Sequence, residues 1–444
     1  MIETIFAVFG IVALLLFRFV APSRAVLITC FAGWLILPVG NFPVGSIGAV
    51  FPYWITGAAV PSDMLLTKMW WPPIVALAGV VLADRSALVR WRPGLADVPM
   101  VLWCLWPIGQ WPFVENPEPQ PLIASLYLGA AWGAPWLLGR VYFWGSDGAS
   151  QLINSMVAWM AVIAPIALIE GTYGPKVYEW FYEAHPFRAD GAQRYLGFRP
   201  LGFFEHGNQY GIWVATTTLT AIWLWQTPSN SPVRGRLAAL AVLCFAIALM
   251  SQSLGAILLL FLGLVLSLTI GHSPMRWVLP LILLLTVSGG AVYLSGKLPL
   301  RGLAENTSIG RQMVEIIRSS GRGSLTWRIA RDQKALPLII AHPIVGTAKW
   351  DWWRNNNERP WSLALLILGQ FGLIGFVLAF GSLLMQALRA LAIKPHSWNI
   401  YPTAPLAVIV LMASADALLN SFFFYPAILA AGALVPRQIP NQEP

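Results

Sequence analysis

Residues 361–385 read WSLALLILGQFGLIGFVLAFGSLLM, and none of these 25 residues is Asp, Glu, Lys or Arg. A transmembrane helix needs about 20 consecutive apolar residues, because the hydrocarbon core of a bilayer is about 30 Å thick. The run therefore predicts a helix that spans a membrane. Comparable windows recur along the whole chain of 444 residues. The sequence thus predicts an all-α, polytopic membrane helix bundle of about 12–13 transmembrane helices with a large helical outer loop.

The composition excludes several classes of protein. The chain is 57% hydrophobic and only 11% charged, and its mean hydropathy is +0.66. Soluble globular chains carry about 25% charged residues, so soluble enzymes, disulfide-stapled secreted domains and disordered chains are excluded. The three cysteines (Cys30, Cys104 and Cys244) lie in apolar stretches without metal-ligand spacing. We therefore predict neither a zinc nor an iron–sulfur site.

The predicted spans are separated by short connections. The first apolar run is interpreted as a span rather than a cleaved signal peptide, because Glu3 is present and no basic residue precedes the run. The spans are predicted near residues 2–20, 25–40, 64–83, 97–113, 121–140, 152–170, 207–226, 237–251, 254–270, 277–295, 361–385, 402–420 and 422–436.

Basic residues in the short connections predict the orientation. Loops rich in Lys and Arg stay on the cytoplasmic side, and here they alternate with the connections at 41–63 and 114–120, which carry only acidic charge. This pattern places the N-terminus outside and the C-terminus inside. The residues assigned to the cytoplasmic side are Arg18, Arg24, Arg85, Arg90, Arg92, Arg140, Arg234, Arg236, Arg276, Arg389 and Lys394.

Long outer segments divide the chain into three predicted parts. Residues 1–295 form a transmembrane bundle with an outer loop at 171–206, residues 296–360 form a basic outer loop, and residues 361–444 form C-terminal helices and a short tail. The basic loop holds eleven Lys or Arg against five acidic residues, a net of +6 within the chain's +9. Such a charge suits an anionic ligand, for example a lipid phosphate. The alternative is a solvated basic helix face beside the lipid headgroups.

Polar side chains cluster at the entry to the seventh predicted span. Residues 199–208 read RPLGFFEHGN, and polar groups at a membrane edge are costly and tend to be functional. Glu205 or His206 could act as a general base if burial moved its pKa toward neutrality. The alternative is a helix-entry cap with a satisfied histidine.

A second polar stretch lies in the basic loop, where residues 327–336 read WRIARDQKAL. On a helix, Arg328, Arg331 and Asp332 share one face, and a guanidinium fork fits a phosphate well. The alternative is an ordinary ion pair between Arg328 and Asp332. In the twelfth predicted span, Asp416 and Asn420 lie one turn apart, and a structural bond is as good an explanation there as a functional role.

Together these stretches resemble the bacterial O-antigen ligase and O-antigen polymerase superfamily over most of the chain. The resemblance depends on four landmarks in order. They are an Arg–Gly–aromatic–His–x–Asn entry to a middle span, a Ser-x-Ser-x-Gly-Ala run, an outer-loop Arg followed by His-Pro-x-x-Gly, and a Gly-Leu-Ile-Gly span. The matching residues are Arg199, Gly202, His206 and Asn208; Ser251, Ser253, Gly255 and Ala256; Arg328, His342, Pro343 and Gly346; and Gly372 to Gly375.

The resemblance implies a glycosyltransferase that needs neither a metal nor a cofactor. It would transfer or polymerise glycans carried on undecaprenyl pyrophosphate at the periplasmic face of the bacterial inner membrane, with polymerisation slightly favoured over ligation. The acceptor would be another glycan or lipid A core. Implied partners are the lipid bilayer and possible chain-length regulator and flippase proteins, with no nucleic acid.

The resemblance also implies roles for individual residues. Arg199 and Arg328 would neutralise the leaving pyrophosphate, and Asn208 would support them. Arg331, which shares a helix face with Arg328, is predicted to bind the pyrophosphate as well. A hydroxyl of the acceptor would attack the anomeric carbon while a general base takes its proton.

The position of the family's catalytic histidine differs in this sequence. Ligases of the family place His-Asn eleven and ten residues before the glycine of the last motif, where this chain has Trp361 and Ser362. The candidate bases are therefore Glu205, His206 and Glu358.

Two other functions compete with the enzyme. A transporter or flippase for a lipid-linked or anionic solute should show paired broken helices in related halves. The sequence shows no such halves, and its polar residues gather in outer loops. Because the histidine is missing, a second alternative is that the chain is an inactive scaffold of a polysaccharide assembly complex.

Overall fold

The computed structural model describes residues 1–40, 66–182, 185, 193–194, 196–269, 288–292, 306–319, 323–354, 359–393 and 401–436. Helices dominate these residues. The strands found among them form one antiparallel pair, β1 (Gln193–Arg194) and β2 (Gly197–Phe198). The predicted all-α class is therefore confirmed.

The helices follow the apolar windows of the sequence. In chain order they are α1 Ile2–Leu16, α2 Pro22–Ile36, α3 Trp71–Ala83, α4 Arg85–Arg90, α5 Val98–Gln110, α6 Pro121–Leu128, α7 Ala134–Tyr142, α8 Gly145–Tyr173, α9 Val177–Phe181, α10 Gly207–Gln226, α11 Arg234–Met250, α12 Leu254–Thr269, α13 Ser308–Ser319, α14 Gly323–Ala341, α15 Leu363–Ile393, α16 Thr403–Asp416 and α17 Tyr425–Ala433. A π-helical turn, Gly129–Gly133, joins α6 to α7, so these two form one continuous rod.

Three of the described helices are long and apolar enough to cross a membrane by length and composition. They are Pro121–Tyr142, Gly145–Tyr173 and Leu363–Leu391. The shorter apolar helices of 10–17 residues are Ile2–Leu16, Pro22–Ile36, Trp71–Ala83, Leu254–Ser267 and Thr403–Asp416. These helices indicate association with a membrane, and the larger number of spans stays a prediction. Most of the predicted span 277–295 lies outside the described residues.

The aromatic core lies beside the polar entry to α10. The Trp34 ring is fully buried and meets the rings of Phe204, Trp213, Phe424 and Tyr425 edge-on, at centroid distances of 5.0–5.6 Å. Edge-to-face packing is favoured because the positive ring edge meets the negative ring face. This cluster joins α2, α10 and the start of α17 around the segment that carries the first polar motif.

Two of the family-like motifs pack against each other through their backbones. Helix α15 is kinked at Gly372, where φ is +67°, a conformation that favours glycine. The N–H groups of Leu373 and Ile374 donate to the carbonyls of Pro343 and Ile344, at 2.9 and 3.2 Å. The kink therefore holds the loop that follows α14.

A side chain from α5 completes this contact. The Gln110 amide donates to the carbonyls of Val345 and Gln370, at 2.6 and 2.7 Å. A kink frees backbone carbonyls that need new donors when lipid surrounds the helix. The His-Pro-x-x-Gly and Gly-Leu-Ile-Gly landmarks consequently act together to fix the end of α14.

Close backbone packing between α7 and α17 yields the first prediction. A Cβ added at Gly139 would overlap the Leu429 carbonyl oxygen, so Gly139→Ala must push the helices apart. Overpacking of this kind costs about 1–3 kcal/mol, and we expect a clearly lower unfolding temperature in detergent. The control is Gly381→Ala, whose added methyl meets no atom within 4 Å. Equal unfolding temperatures for the two variants would contradict the close backbone contact.

Candidate functional site

The first polar motif is anchored to the end of α8 by a buried carboxylate. The Glu170 oxygens accept hydrogen bonds from the backbone N–H groups of Leu201 and Gly202, at 2.7 and 2.6 Å, and from that of Val177 at 3.0 Å. A carboxylate that accepts several backbone N–H groups is a strong anchor. The segment leading into α10 is thereby fixed at one end of the bundle.

Arg199 joins this segment to the Ser-x-Ser turn between α11 and α12. Its guanidinium is buried, and its Nε donates to the Ser251 carbonyl at 3.0 Å. Its Nη2 donates to the Asn208 Oδ1 at 2.6 Å, and the Ser253 hydroxyl lies 3.4 Å from the same oxygen. The first two landmarks of the sequence therefore meet at Arg199.

Asn420 connects this group to Arg328 on α14. The Asn208 Nδ2 donates to the Asn420 Oδ1 at 2.7 Å, and the Arg328 Nη1 donates to the same oxygen at 2.5 Å. The Asn420 Nδ2 in turn donates to the Asp416 Oδ1 at 2.7 Å. We call Arg199, Asn208, Asn420 and Arg328 the arginine–amide cluster. It links two arginines that are far apart in the sequence through two side-chain amides.

The start of α15 holds Asn420 in place. The N–H groups of Leu363 and Ala364 donate to the carbonyls of Asn420 and Ala417, at 3.0 and 3.1 Å. The first N–H groups of a helix lack partners within their own helix, so they bind the carbonyls that end α16. This contact places residues 361–362 beside Asn420.

Trp361, at the position where the resemblance to the ligases implies a histidine, lies against two arginines. The Arg328 and Arg359 guanidinium carbons are 5.5 and 5.2 Å from its ring centroid, within the range of cation–π attraction. Its backbone N–H donates to the Asp332 carboxylate at 2.7 Å. The tryptophan thus packs the arginine side chains together and supplies no group that accepts a proton.

Arg359 is a further arginine of the site that the sequence interpretation missed. Its side chain is buried, and its Nη2 donates to the Ser421 hydroxyl at 3.3 Å, one residue after Asn420. A buried arginine is unusual unless it is paired or functional. The signal in the sequence was its place between Glu358 and Trp361 at the start of a span.

His206 caps α10, as the structural alternative predicted. Its Nδ1 accepts the Asn208 backbone N–H at 3.1 Å, and its ring stacks on Phe422 with a centroid distance of 4.7 Å. Because Nδ1 accepts this bond, a neutral ring carries its proton on Nε2. His206 would have to release the cap before Nδ1 could act as a base.

Glu205 lies against a buried lysine that the sequence interpretation did not place in the site. Glu205 is 1% exposed and Lys68 is fully buried, and the two side chains interact electrostatically. The Lys68 ammonium also donates to the Phe203 carbonyl at 2.5 Å and lies over the Phe204 ring. A general base must come within about 3 Å of the proton that it takes. In this conformation the Glu205 carboxylate offers no open surface to a substrate.

Two predicted site residues, Arg331 and Glu358, remain to be placed. The Arg331 guanidinium lies over the Trp327 ring at 5.5 Å, and its buried Nε has no hydrogen-bond partner among the described residues. Glu358 lies outside the described residues. The structure therefore brings Arg199, Asn208 and Arg328 together and leaves the identity of the base a prediction.

Gly207 makes room for Arg199, and this gives the second prediction. A Cβ added at Gly207 would overlap the Arg199 Nε and Cζ, so Gly207→Ala should displace the guanidinium. Displacement breaks the buried bonds from Arg199 to the Ser251 carbonyl and the Asn208 amide, so we also expect a lower unfolding temperature. Any activity that uses Arg199 should fall by about tenfold or more, which corresponds to about 1.4 kcal/mol.

The control for Gly207→Ala is Gly235→Ala, which also adds a methyl in the first turn of a helix. There the methyl meets no atom within 4 Å. Equal unfolding temperatures for Gly207→Ala and Gly235→Ala would refute the contact between Gly207 and Arg199, and full activity in both would show that the activity does not use Arg199.

Family models, curated proteins and solved structures give no match to this chain. The function proposed below therefore depends on the geometry of the site and on the motifs of the sequence.

Proposed function

We propose that the chain is a metal-independent glycosyltransferase of the bacterial inner membrane. It transfers or polymerises oligosaccharide units carried on undecaprenyl pyrophosphate during the biosynthesis of a surface polysaccharide, with polymerisation favoured over ligation. The observation that carries the proposal is the arginine–amide cluster. Two arginines from distant segments, Arg199 and Arg328, bind neighbouring amides at one end of an apolar bundle.

The cluster suits a pyrophosphate leaving group. As the acceptor oxygen bonds to the anomeric carbon, the bond from that carbon to the pyrophosphate oxygen breaks and its electron pair leaves with the phosphate. Guanidinium groups held in place beforehand stabilise this developing charge without reorganising. Each guanidinium carries five N–H donors, so it can bind an amide oxygen and a phosphate oxygen at once.

The amides position the arginines, and Asp416 holds the Asn420 amide. The Asn420 oxygen accepts from Arg328 and Asn208, and its nitrogen donates to the Asp416 carboxylate. A buried charge is stable only when it is paired or hydrogen bonded. In the proposed reaction the pyrophosphate supplies the negative charge that pairs with the two arginines.

The proposed topology places this cluster at the periplasmic face, where the donor glycan is displayed. The proposal includes about 12–13 transmembrane helices and a periplasmic position for the basic segment 296–360. The proton of the acceptor goes to a base for which Glu205, His206 and Glu358 stay the candidates.

Reconstitution tests the proposal directly. The purified chain in nanodiscs would be incubated with an undecaprenyl-pyrophosphate-linked oligosaccharide, and both glycan size and released undecaprenyl pyrophosphate would be measured. A ladder of growing glycans with pyrophosphate release would support a polymerase. Release only after addition of lipid A core would support a ligase. Movement of the donor across the membrane without release would favour the transporter, and neither release nor movement would favour the scaffold.

A further inference from the structure

A second basic site lies at the other end of the bundle. A cavity of about 570 Å³ opens beside α4 and the end of α7. Three arginines and three aromatic side chains contribute to its lining, namely Arg90, Arg92, Arg140, Trp91, Tyr142 and Trp144. Neither the motifs nor the proposed reaction uses this cavity.

Helix α8 separates the cavity from the arginine–amide cluster. It starts at Gly145, next to Trp144 of the cavity lining, and it carries Glu170, the anchor of the first polar motif, in its last turn. A helix of 29 residues is about 43 Å long at about 1.5 Å per residue. The two sites therefore lie at opposite ends of a helix that is long enough to cross a bilayer.

The floor of the cavity is rigid because its buried charges are paired. The Arg140 Nε lies 3.3 Å from the Asp97 carboxylate, and both side chains are 3% exposed. Asp84 caps α4 through the Ala87 N–H at 3.3 Å and accepts the Tyr142 hydroxyl at 3.0 Å. Arg140 and Asp84 are thus explained by the fold.

Arg90 and Arg92 also line the cavity, and both side chains are exposed there. Exposed apolar side chains flank them: Val89, which also lines the cavity, is 75% exposed, and Leu95 is 86% exposed. Arginine side chains therefore lie beside exposed aliphatic side chains at the cavity. The same surface suits a ligand that has both an anionic head and apolar chains.

We propose that this cavity binds the phosphate of an anionic phospholipid headgroup. Guanidinium forks match phosphate geometry, and tryptophan and tyrosine rings favour the headgroup level of a bilayer. On the proposed topology the cavity faces the cytoplasmic leaflet, where basic pockets between helices bind anionic lipids. The inference depends on that topology and not on the proposed glycosyl transfer.

The test compares lipid retention by two double variants of the full chain. Arg90→Gln with Arg92→Gln removes both exposed cavity charges. Arg234→Gln with Arg236→Gln is the control, since it removes two exposed arginines with the same spacing at the start of α11, outside the cavity. Native mass spectrometry after reconstitution with phosphatidylglycerol or phosphatidylcholine would count the retained lipids.

We expect the cavity variant to retain phosphatidylglycerol about tenfold less well than the control variant and the unaltered chain. Equal loss in both variants would overturn the site, since general surface charge would then explain the binding. If the cavity variant does not fold, the unaltered chain still decides, because equal retention of the two lipids would overturn the proposal.

Inorganic phosphate distinguishes a lipid from a soluble anion. Millimolar phosphate should leave the retained phosphatidylglycerol unchanged, and displacement by phosphate would overturn the lipid assignment. Loss of glycosyl transfer in the reconstitution assay would leave this result untouched, so the two proposals fail separately.

Discussion

Arg328→Ala is expected to lower glycosyl transfer by at least about a hundredfold, because removing one donor that stabilises developing negative charge costs about 10²–10³ in rate. The variant also loses the bond to the Asn420 oxygen and the contact with the Trp361 ring. Released undecaprenyl pyrophosphate is the quantity to measure. Arg328→Lys should restore little activity, since an ammonium keeps the charge but lacks the planar fork.

The control for Arg328→Ala is Lys334→Ala on the same helix, where the side chain is exposed. It removes one positive charge from the exposed surface of α14, so we expect normal product and normal insertion. Arg199→Ala should resemble Arg328→Ala. Normal polymer length and yield in both arginine variants would remove their assignment to the leaving group.

Asn420→Ala is expected to reduce transfer by about a hundredfold even though this residue carries no charge. Its side chain is the shared acceptor of Asn208 and Arg328 and the donor to Asp416. Truncation leaves these buried groups without partners, and each such loss costs about 1–3 kcal/mol. We therefore expect a lower unfolding temperature together with the loss of product.

Asn420→Asp tests whether product is lost because the amide is missing or because the protein is less stable. A carboxylate in that place should pair with Arg328 and compete with the pyrophosphate for it. It also meets the Asp416 carboxylate, so one of the two acids must keep its proton, and with that shared proton the protein should fold while transfer stays low. Ser414→Ala in α16, six residues before Asn420, is the control, because the Ser414 hydroxyl donates to the Val410 carbonyl of its own helix at 2.8 Å. Full activity in Asn420→Asp would contradict the role of the amide.

A double-mutant cycle with Asn208→Ala and Asn420→Ala measures how strongly the two amides depend on each other for transfer activity. Groups in one hydrogen-bond network are non-additive, so the double variant should lose little more than either single variant. Additive losses would mean that Arg199 and Arg328 act independently of the amide contact.

The helices and their places in the chain follow from the sequence, because apolar length is a local property. The span predicted at 207–226 matches α10, Gly207–Gln226. The helix ends were predicted less well where polar residues continue a helix beyond its apolar part. Thus α8 begins at Gly145 rather than near 152, since its first turns carry residues such as Asp147 and Gln151.

The composition of the site follows from the sequence only in part. The polar stretch 199–208 and the arginines of α14 stood out against the apolar background, and the structure brings Arg199, Asn208 and Arg328 together. Asn420 was visible as a polar neighbour of Asp416. Nothing in the residues next to Asn420 indicated that its amide would meet two other segments.

Only the tertiary structure shows which side chains from distant segments come into contact. The kink at Gly372 fixes the loop after α14, and the start of α15 binds the carbonyls that end α16. These backbone contacts, together with Trp361, bring Arg328 to the Asn420 amide. Hydropathy and charge are properties of single positions, so they predict a membrane bundle with a basic outer segment. The arginine–amide cluster depends on four positions at once, and hydrogen bonds of that reach form only when the helices have packed.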